Sequence, residues 1–259
     1  MRLIFEILRS FGGRNETVDR RTRRRPFAPE MLESRSLLSA IPPFAGGSLP
    51  KAQAYVTALY QNLLGRNPDP QGLAGFSNSL ASGKVSAQKL VQSIVGSNEY
   101  RSNQVTYSYM NILGRTPDSQ GLAAGVNLLS RGGTVNQLQV KLLGSDEFLK
   151  NTGGTKANFI ATVYDVTLGR NPEPAALNAN VDPTNSASRS KFVTSIVNSG
   201  EAAGSMVTNL YYRFLGRQPD AAAQNSSKQL AASRGGAFNQ VVTSLVTSNE
   251  YITNKTKSA

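Results

Sequence analysis

The chain has 259 residues, enough to bury one or two real cores, and it contains no histidine, cysteine or tryptophan. Those absences exclude Ser-His-Asp and Cys-His nucleophiles, Cys/His zinc sites and any disulfide framework, so packing must hold the folded part together. The 28 Lys+Arg against 16 Asp+Glu give a formal net charge of +12, which suits nucleic acid, anionic lipid or another anionic polymer as a partner.

Residues 1–49 read as a leader and linker, largely disordered. Met1–Phe11 is an amphipathic segment with Leu3, Ile4, Ile7, Leu8 and Phe11 on one side, too short and too interrupted by Arg2, Glu6 and Arg9 for a secretory h-region. Arg20, Arg21, Arg23, Arg24 and Arg25 follow, without the interleaved aromatics that single-strand nucleic-acid binding would want. Pro42-Pro43 and Gly46-Gly47 have linker composition. Between them, Leu32-Glu33-Ser34-Arg35-Ser36-Leu37-Leu38-Ser39-Ala40 resembles the LEPR-XLL motif found near the N-termini of large planctomycete proteins. Leu32, Glu33, Arg35, Leu37 and Leu38 carry the match, and Ser34 stands where the motif has proline. The resemblance implies sorting to the cell envelope or exterior.

From there one pattern recurs four times: Tyr-x-x-x-Leu-Gly-Arg-x-Pro-acidic, at Tyr60–Asp69, Tyr109–Asp118, Tyr164–Glu173 and Tyr211–Asp220. Its glycines, Gly65, Gly114, Gly169 and Gly216, lie 49, 55 and 47 residues apart. A period of that size marks stacked units that bury each other's apolar faces. In the first copy, Tyr55, Val56, Leu59, Tyr60 and Leu63 have helical spacing and Gly65 stops the helix. Asn67-Pro68 cannot continue it, and Asp69 is placed to cap a second helix that opens on Pro70 and runs through Leu73, Phe76 and Leu80 to Gly83. Ser86 caps a third, carrying Leu90, Val91, Ile94 and Val95 and ending at Gly96.

The other copies repeat this punctuation. Second helices end at Arg131-Gly132-Gly133 and Arg234-Gly235-Gly236; third helices carry Leu138, Leu142 and Leu143, then Phe192, Ile196 and Val197, then Val241, Val242, Leu245 and Val246. Each third helix stops at Gly96, Gly144, Asn198 or Thr247; the glycines and asparagine suit a left-handed end and Thr247 does not. A serine then caps the next helix, with Glu99, Glu147, Glu201 or Glu250 in its first turn, where a negative charge suits the helix dipole. Ser97–Leu113 and Ser199–Leu215 each read as one continuous helix, whereas Asn151-Thr152-Gly153-Gly154 breaks the corresponding run. The third copy has Asn178–Pro183 where its second helix should be, which predicts a shortened element. The expectation is all-α: four three-helix repeats of about 50 residues, packed as two bundle lobes at 50–152 and 153–257.

With Gly72-Leu73 and Gly121-Leu122 after the motif, and Ser-x-Glu-aromatic at Ser97–Tyr100, Ser145–Phe148 and Ser248–Tyr251, residues 51–257 resemble a tandem of domain-of-unknown-function 4214 repeats. They are more distantly similar to the helical linker domains of phycobilisomes. The resemblance implies bacterial surface or secreted proteins, often beside adhesive or calcium-binding repeats, and supplies no catalytic residues. The tryptophan that many copies carry after Gly-Leu is replaced here by Phe76 and Val126.

Arg66, Arg115, Arg170 and Arg217 read either as a row of anion or glycan contacts or as structural partners of Glu99, Glu147, Glu201 and Glu250, which follow at 33, 32, 31 and 33 residues. The structural reading is preferred; if such a pair is buried, losing one partner costs several kcal/mol. Tyr60, Tyr109, Tyr164 and Tyr211 belong to the apolar face as core residues with bonded hydroxyls. The Gly-Gly turns match no Walker or dinucleotide fingerprint, and no calcium loop or paired-carboxylate spacing occurs, so no catalytic residue, cofactor, metal or small-molecule substrate is expected. No apolar stretch is long enough to span a membrane. The leading expectation is a non-enzymatic interaction or structural module at the cell surface or secreted, meeting envelope or extracellular proteins or polysaccharides. The alternative is a basic binder of nucleic acid or another anionic polymer.

Overall fold

The structure, a computed structural model, describes Phe44, residues 48–225 and residues 238–257. The leader through residue 43, with its expected disorder and sorting motif, lies outside the described residues, as do the Arg234-Gly235-Gly236 turn and its surroundings. Among the described residues every regular element is helical. The first motif copy contributes α1 (Leu49–Leu59), prolonged by a π turn at Tyr60–Leu64, then α2 (Pro70–Ala81) and α3 (Ala87–Val95). α4 (Asn98–Leu113) runs without a break into the second copy, followed by α5 (Ser119–Ser130), α6 (Val135–Leu143) and the short α7 (Asp146–Asn151). The third copy holds α8 (Lys156–Leu168), α9 (Pro174–Leu177) and α10 (Ser186–Val197). α11 (Gly200–Leu215) is again continuous into the fourth, which closes with α12 (Phe238–Val246) and α13 (Asn249–Thr256).

Local rules explain the boundaries. Gly65, Gly114, Gly169 and Gly216 all have φ near +70°, the left-handed conformation that ends a helix and that a side chain would strain. Ser86, Ser97, Ser145, Ser199 and Ser248 each accept a hydrogen bond from the backbone N–H three residues on, satisfying a free donor of the helix they open. The expected left-handed break before those serines does not occur. Gly96, Gly144 and Asn198 have φ of −85°, −82° and −94°, and the serine N–H bonds back three residues instead. A tight right-handed turn tolerates side chains, which removes the objection to Thr247. In α10 the buried stripe is Arg189, Val193 and Val197; Phe192 and Ile196 flank it half-buried.

Two cores form, and they pair the copies as first with fourth and second with third. The first core joins Tyr55, Leu59, Leu90 and Val91 to Phe214, Val242, Val246 and Tyr251. The second joins Leu138, Leu143 and Phe148 to Phe159, Ile160 and Val193. Both therefore straddle the division expected between 152 and 153. The reason is the continuity of α4 and α11. An unbroken helix carries its two ends away from each other: α4 puts Tyr100 in the first core and Val105 and Ile112 in the second, and α11 puts Leu210 and Phe214 in the first core while packing against α8 and α10 of the third copy. Where the chain is broken, at 151–155 and between its two ends, neighbouring copies fold face to face. Phe44, inside the expected linker, is 4% exposed with its ring 5.1 Å from that of Tyr55, so the folded unit begins before residue 49.

The two junctions share one aromatic device. Tyr55 meets Tyr251 edge-on, centroids 6.2 Å apart and planes at 77°; Phe159 meets Phe148 at 5.9 Å and 77°. Tyr55 and Phe159 both stand ten residues before a motif glycine, where the continuous junctions have Gln104 and Met206. The Tyr55 hydroxyl donates to the Val246 carbonyl at 2.9 Å, and Asn62 Nδ2 donates to the Tyr251 hydroxyl at 2.8 Å. The Arg213 guanidinium reaches the Asn62 carbonyl within the π turn at 2.8 Å. Because α4 and α11 couple the cores, urea unfolding should show a single transition, and Phe148→Ala should lower its stability by about 3–5 kcal/mol. A second transition left unmoved by that substitution would show the cores to be independent.

Candidate functional site

The recurring motif builds the same cluster four times. After the left-handed glycine the chain doubles back, which lays the next arginine over the tyrosine six residues earlier. The guanidinium carbon lies 5.1, 5.4, 5.2 and 5.5 Å from the ring centroids in the pairs Arg66–Tyr60, Arg115–Tyr109, Arg170–Tyr164 and Arg217–Tyr211. Each arginine then donates two parallel hydrogen bonds to the glutamate in the first turn of the serine-capped helix that follows its copy's third helix. The distances are 2.5 and 2.8 Å for Arg66–Glu99, 2.5 and 2.7 Å for Arg115–Glu147, 2.5 and 2.9 Å for Arg170–Glu201, and 2.7 and 2.6 Å for Arg217–Glu250. Nη1 meanwhile donates to the carbonyl of the residue that follows, at 2.9–3.1 Å. A planar fork satisfied on three sides and resting on a ring is the geometry arginine provides and lysine does not.

The acidic residue closing each motif has a separate task. Asp69, Asp118 and Asp220 accept from the N–H of Gly72, Gly121 and Ala223 at 2.7–2.8 Å, capping the next helix. Glu173, one methylene longer, makes no such cap and pairs with Arg170 at 2.8 Å instead. Its helix α9 is only four residues long, which fulfils the expected shortening. Gly72 and Gly121 leave room for the tyrosine: a Cβ on Gly121 would lie 2.4 Å from the Tyr109 hydroxyl.

These pairs are not buried. The arginine and glutamate side chains keep 37–46% of their surface, so water screens them and the large penalty that a buried pair would carry does not apply. Tyr60 and Tyr164 are buried, whereas Tyr109 and Tyr211 are half-buried and serve as platforms for the guanidinium. Hydrogen bonds from the arginines hold the carboxyls of Glu99, Glu147, Glu201 and Glu250 below the usual range, and the Gly72 N–H does the same for Asp69. Burial raises the four tyrosine hydroxyls, and in the first core it pushes Tyr251 up to about 12.

Three contributors were not read from the sequence. Asn103 and Asn151, each four residues after a clamp glutamate, donate to the Leu64 and Leu113 carbonyls at the end of the preceding helix; that shared offset is the signal that could have found them. Arg189 is 1% exposed, donates to the Gly144 carbonyl at 3.0 Å and to the Pro183 carbonyl, and pairs with exposed Asp146. It pins the irregular 178–185 segment onto the second copy, and nothing in its sequence context marks it as buried. A surface groove of about 570 Å³ lies between α5 and α6, lined among others by Tyr109, Gly121, Gly125, Arg131 and Lys141. Among the described residues, no three His, Cys, Asp or Glu side chains converge as a metal site requires, and no helix is long and apolar enough to cross a membrane.

The clamps carry a pH signature. A carboxyl held below its unfolded value contributes stability that is fully present above about pH 4.5. That contribution is lost as pH falls from there through the depressed folded values, so the melting temperature should drop on acidification in this window and less steeply in Glu99→Gln. In a double-mutant cycle on Arg217 and Glu250 the coupling should be at most about 1 kcal/mol and should shrink in high salt. Arg189→Ala, which empties a buried site and orphans two carbonyls, should cost more, about 2–4 kcal/mol by chemical denaturation.

Against known families, a model described as Domain of unknown function (DUF4214) matches residues 46–104. No curated protein and no solved structure matches the chain. The matched span runs from just before α1 to the middle of α4 and holds one complete Tyr60–Arg66–Glu99 clamp, so the match covers the first copy of the motif and its clamp.

Proposed function

We propose that the chain is a non-enzymatic interaction and structural module of the cell envelope or exterior. In this reading it has four tandem units of the type that residues 46–104 represent, carried behind a sorting segment. The observation that supports it is the use made of the recurring polar residues. Each Tyr–Arg–Glu set joins the end of one helix to the start of another, and the motif aspartates cap helices. What recurs in the chain is thus spent on scaffold, and the outward faces of the helices are left to meet a partner. The LEPR-XLL resemblance at Leu32–Ala40 supports the location, and the distant likeness to phycobilisome linker domains fits an assembly role.

A second reading, binding of an anionic polymer, draws on charge. Clamps, caps and the Arg189 pair engage most acidic side chains, while Lys84, Lys89, Lys141, Lys150, Lys156 and Lys191 form no ion pair among the described residues. Fractionation of the tagged full chain should place it in the envelope or medium, and deletion of residues 1–40 should leave it in the cytoplasm; identical distributions would remove the sorting proposal. A salt titration with duplex DNA separates the two readings. The module reading expects no binding by the chain lacking residues 1–40, and low-salt binding that falls steeply with added salt would favour the second.

A further inference from the structure

Neither half of this chain owns a core. Cut at residues 152–155, the first half would bare Tyr55, Leu90 and Phe148, and the second would bare Phe159, Val246 and Tyr251, each the partner of the other set. Within each half the copies are tied by a continuous 16-residue helix, α4 or α11. Between the halves the chain passes only through Thr152-Gly153-Gly154-Thr155.

The phase of this link is informative. From clamp glutamate to the next motif arginine is 16 residues at Glu99–Arg115 and at Glu201–Arg217, but 23 at Glu147–Arg170. Seven extra residues are close to two full helical turns, about 20° short of exact phase. A helix running unbroken from Asp146 to Leu168 would therefore present its two motif faces almost as α4 and α11 do, about 10 Å further apart. What interrupts it is a pair of glycines in left-handed conformation, φ +83° at Gly153 and +75° at Gly154. Space does not demand glycine there: a Cβ on Gly154 would meet nothing within 4 Å, and one on Gly153 only the Asn158 side-chain nitrogen at 3.3 Å.

We propose that the chain can exchange halves with a second copy of itself. Residues 44–151 of one molecule pair with 156–257 of the other through the same two cores, and α7 and α8 merge into one helix. Every core contact of the closed monomer is remade between chains, so the balance rests on the four hinge residues and on concentration. The interaction surface is the inner face of each half, and its partner is the complementary half.

Gly153→Ala combined with Gly154→Ala penalises the left-handed turn and favours a continuous helix. The full chain with both changes should show a dimer-to-monomer ratio raised by at least about tenfold, by size exclusion with light scattering at matched concentration. Because the chain lacks cysteine, Asn136→Cys with Asn198→Cys can report which molecule supplies each half, those side chains meeting at 3.0 Å. The disulfide should join two chains in the dimer and form within one chain in the monomer. A folded variant that stays monomeric, or a dimer whose disulfides remain within chains, overturns the proposal. The wild type provides an arm independent of the hinge changes. Two differently tagged chains refolded together at high concentration should yield a heterodimer that mixing native monomers does not, and recovery of monomers alone would equally overturn it.

Discussion

Tyr251, at the far end of the chain, packs edge-on against Tyr55 near its start, with Phe214 on its other flank at 6.3 Å. The first and last described helices are thereby held in one core, and the rest of the architecture follows. A linear string of four units would leave the outer faces of the first and last uncovered, the usual problem of a short repeat array. Here each terminal unit covers the other. The pair Phe148–Phe159 repeats the contact at the middle of the chain, so two equivalent junctions alternate with two continuous helices.

Set against that burial, the four arginine clamps are orienting devices. Each fixes the angle between a helix that ends on a left-handed glycine and a helix that starts on a capped serine, using two parallel hydrogen bonds and a ring beneath the guanidinium. Their exposure means that salt and acid weaken them while the aromatic cores stay intact. Arg189 is the contrasting case. It carries its charge inside, faces two backbone carbonyls, and substitutes for the packing that the third copy lost when its second helix shrank to α9.

The same arrangement bears on the proposed role. Among the described residues most acidic side chains are committed to caps, clamps and the Arg189 pair, while Lys84, Lys89, Lys141, Lys150 and Lys191 stand exposed without an ion pair. Such a surface can meet envelope polymers or other proteins without a cleft. The groove between α5 and α6 has two cations and no carboxylate among its lining residues.

By itself, the sequence determined the all-helical class, the positions of nearly every cap and stop, the failing third copy and the pairing of each motif arginine with its glutamate. These are local or periodic properties: a left-handed glycine, a serine N-cap, or a constant offset between opposite charges can be read from spacing. Only the tertiary structure decided which copies share a core, how exposed the clamps are, that Phe44 belongs to the fold, and that Arg189 is buried. Periodicity identifies an apolar face but does not name the face that covers it. That choice was made by two unbroken helices, which carry adjacent copies into different cores and leave the first and fourth copies to pair.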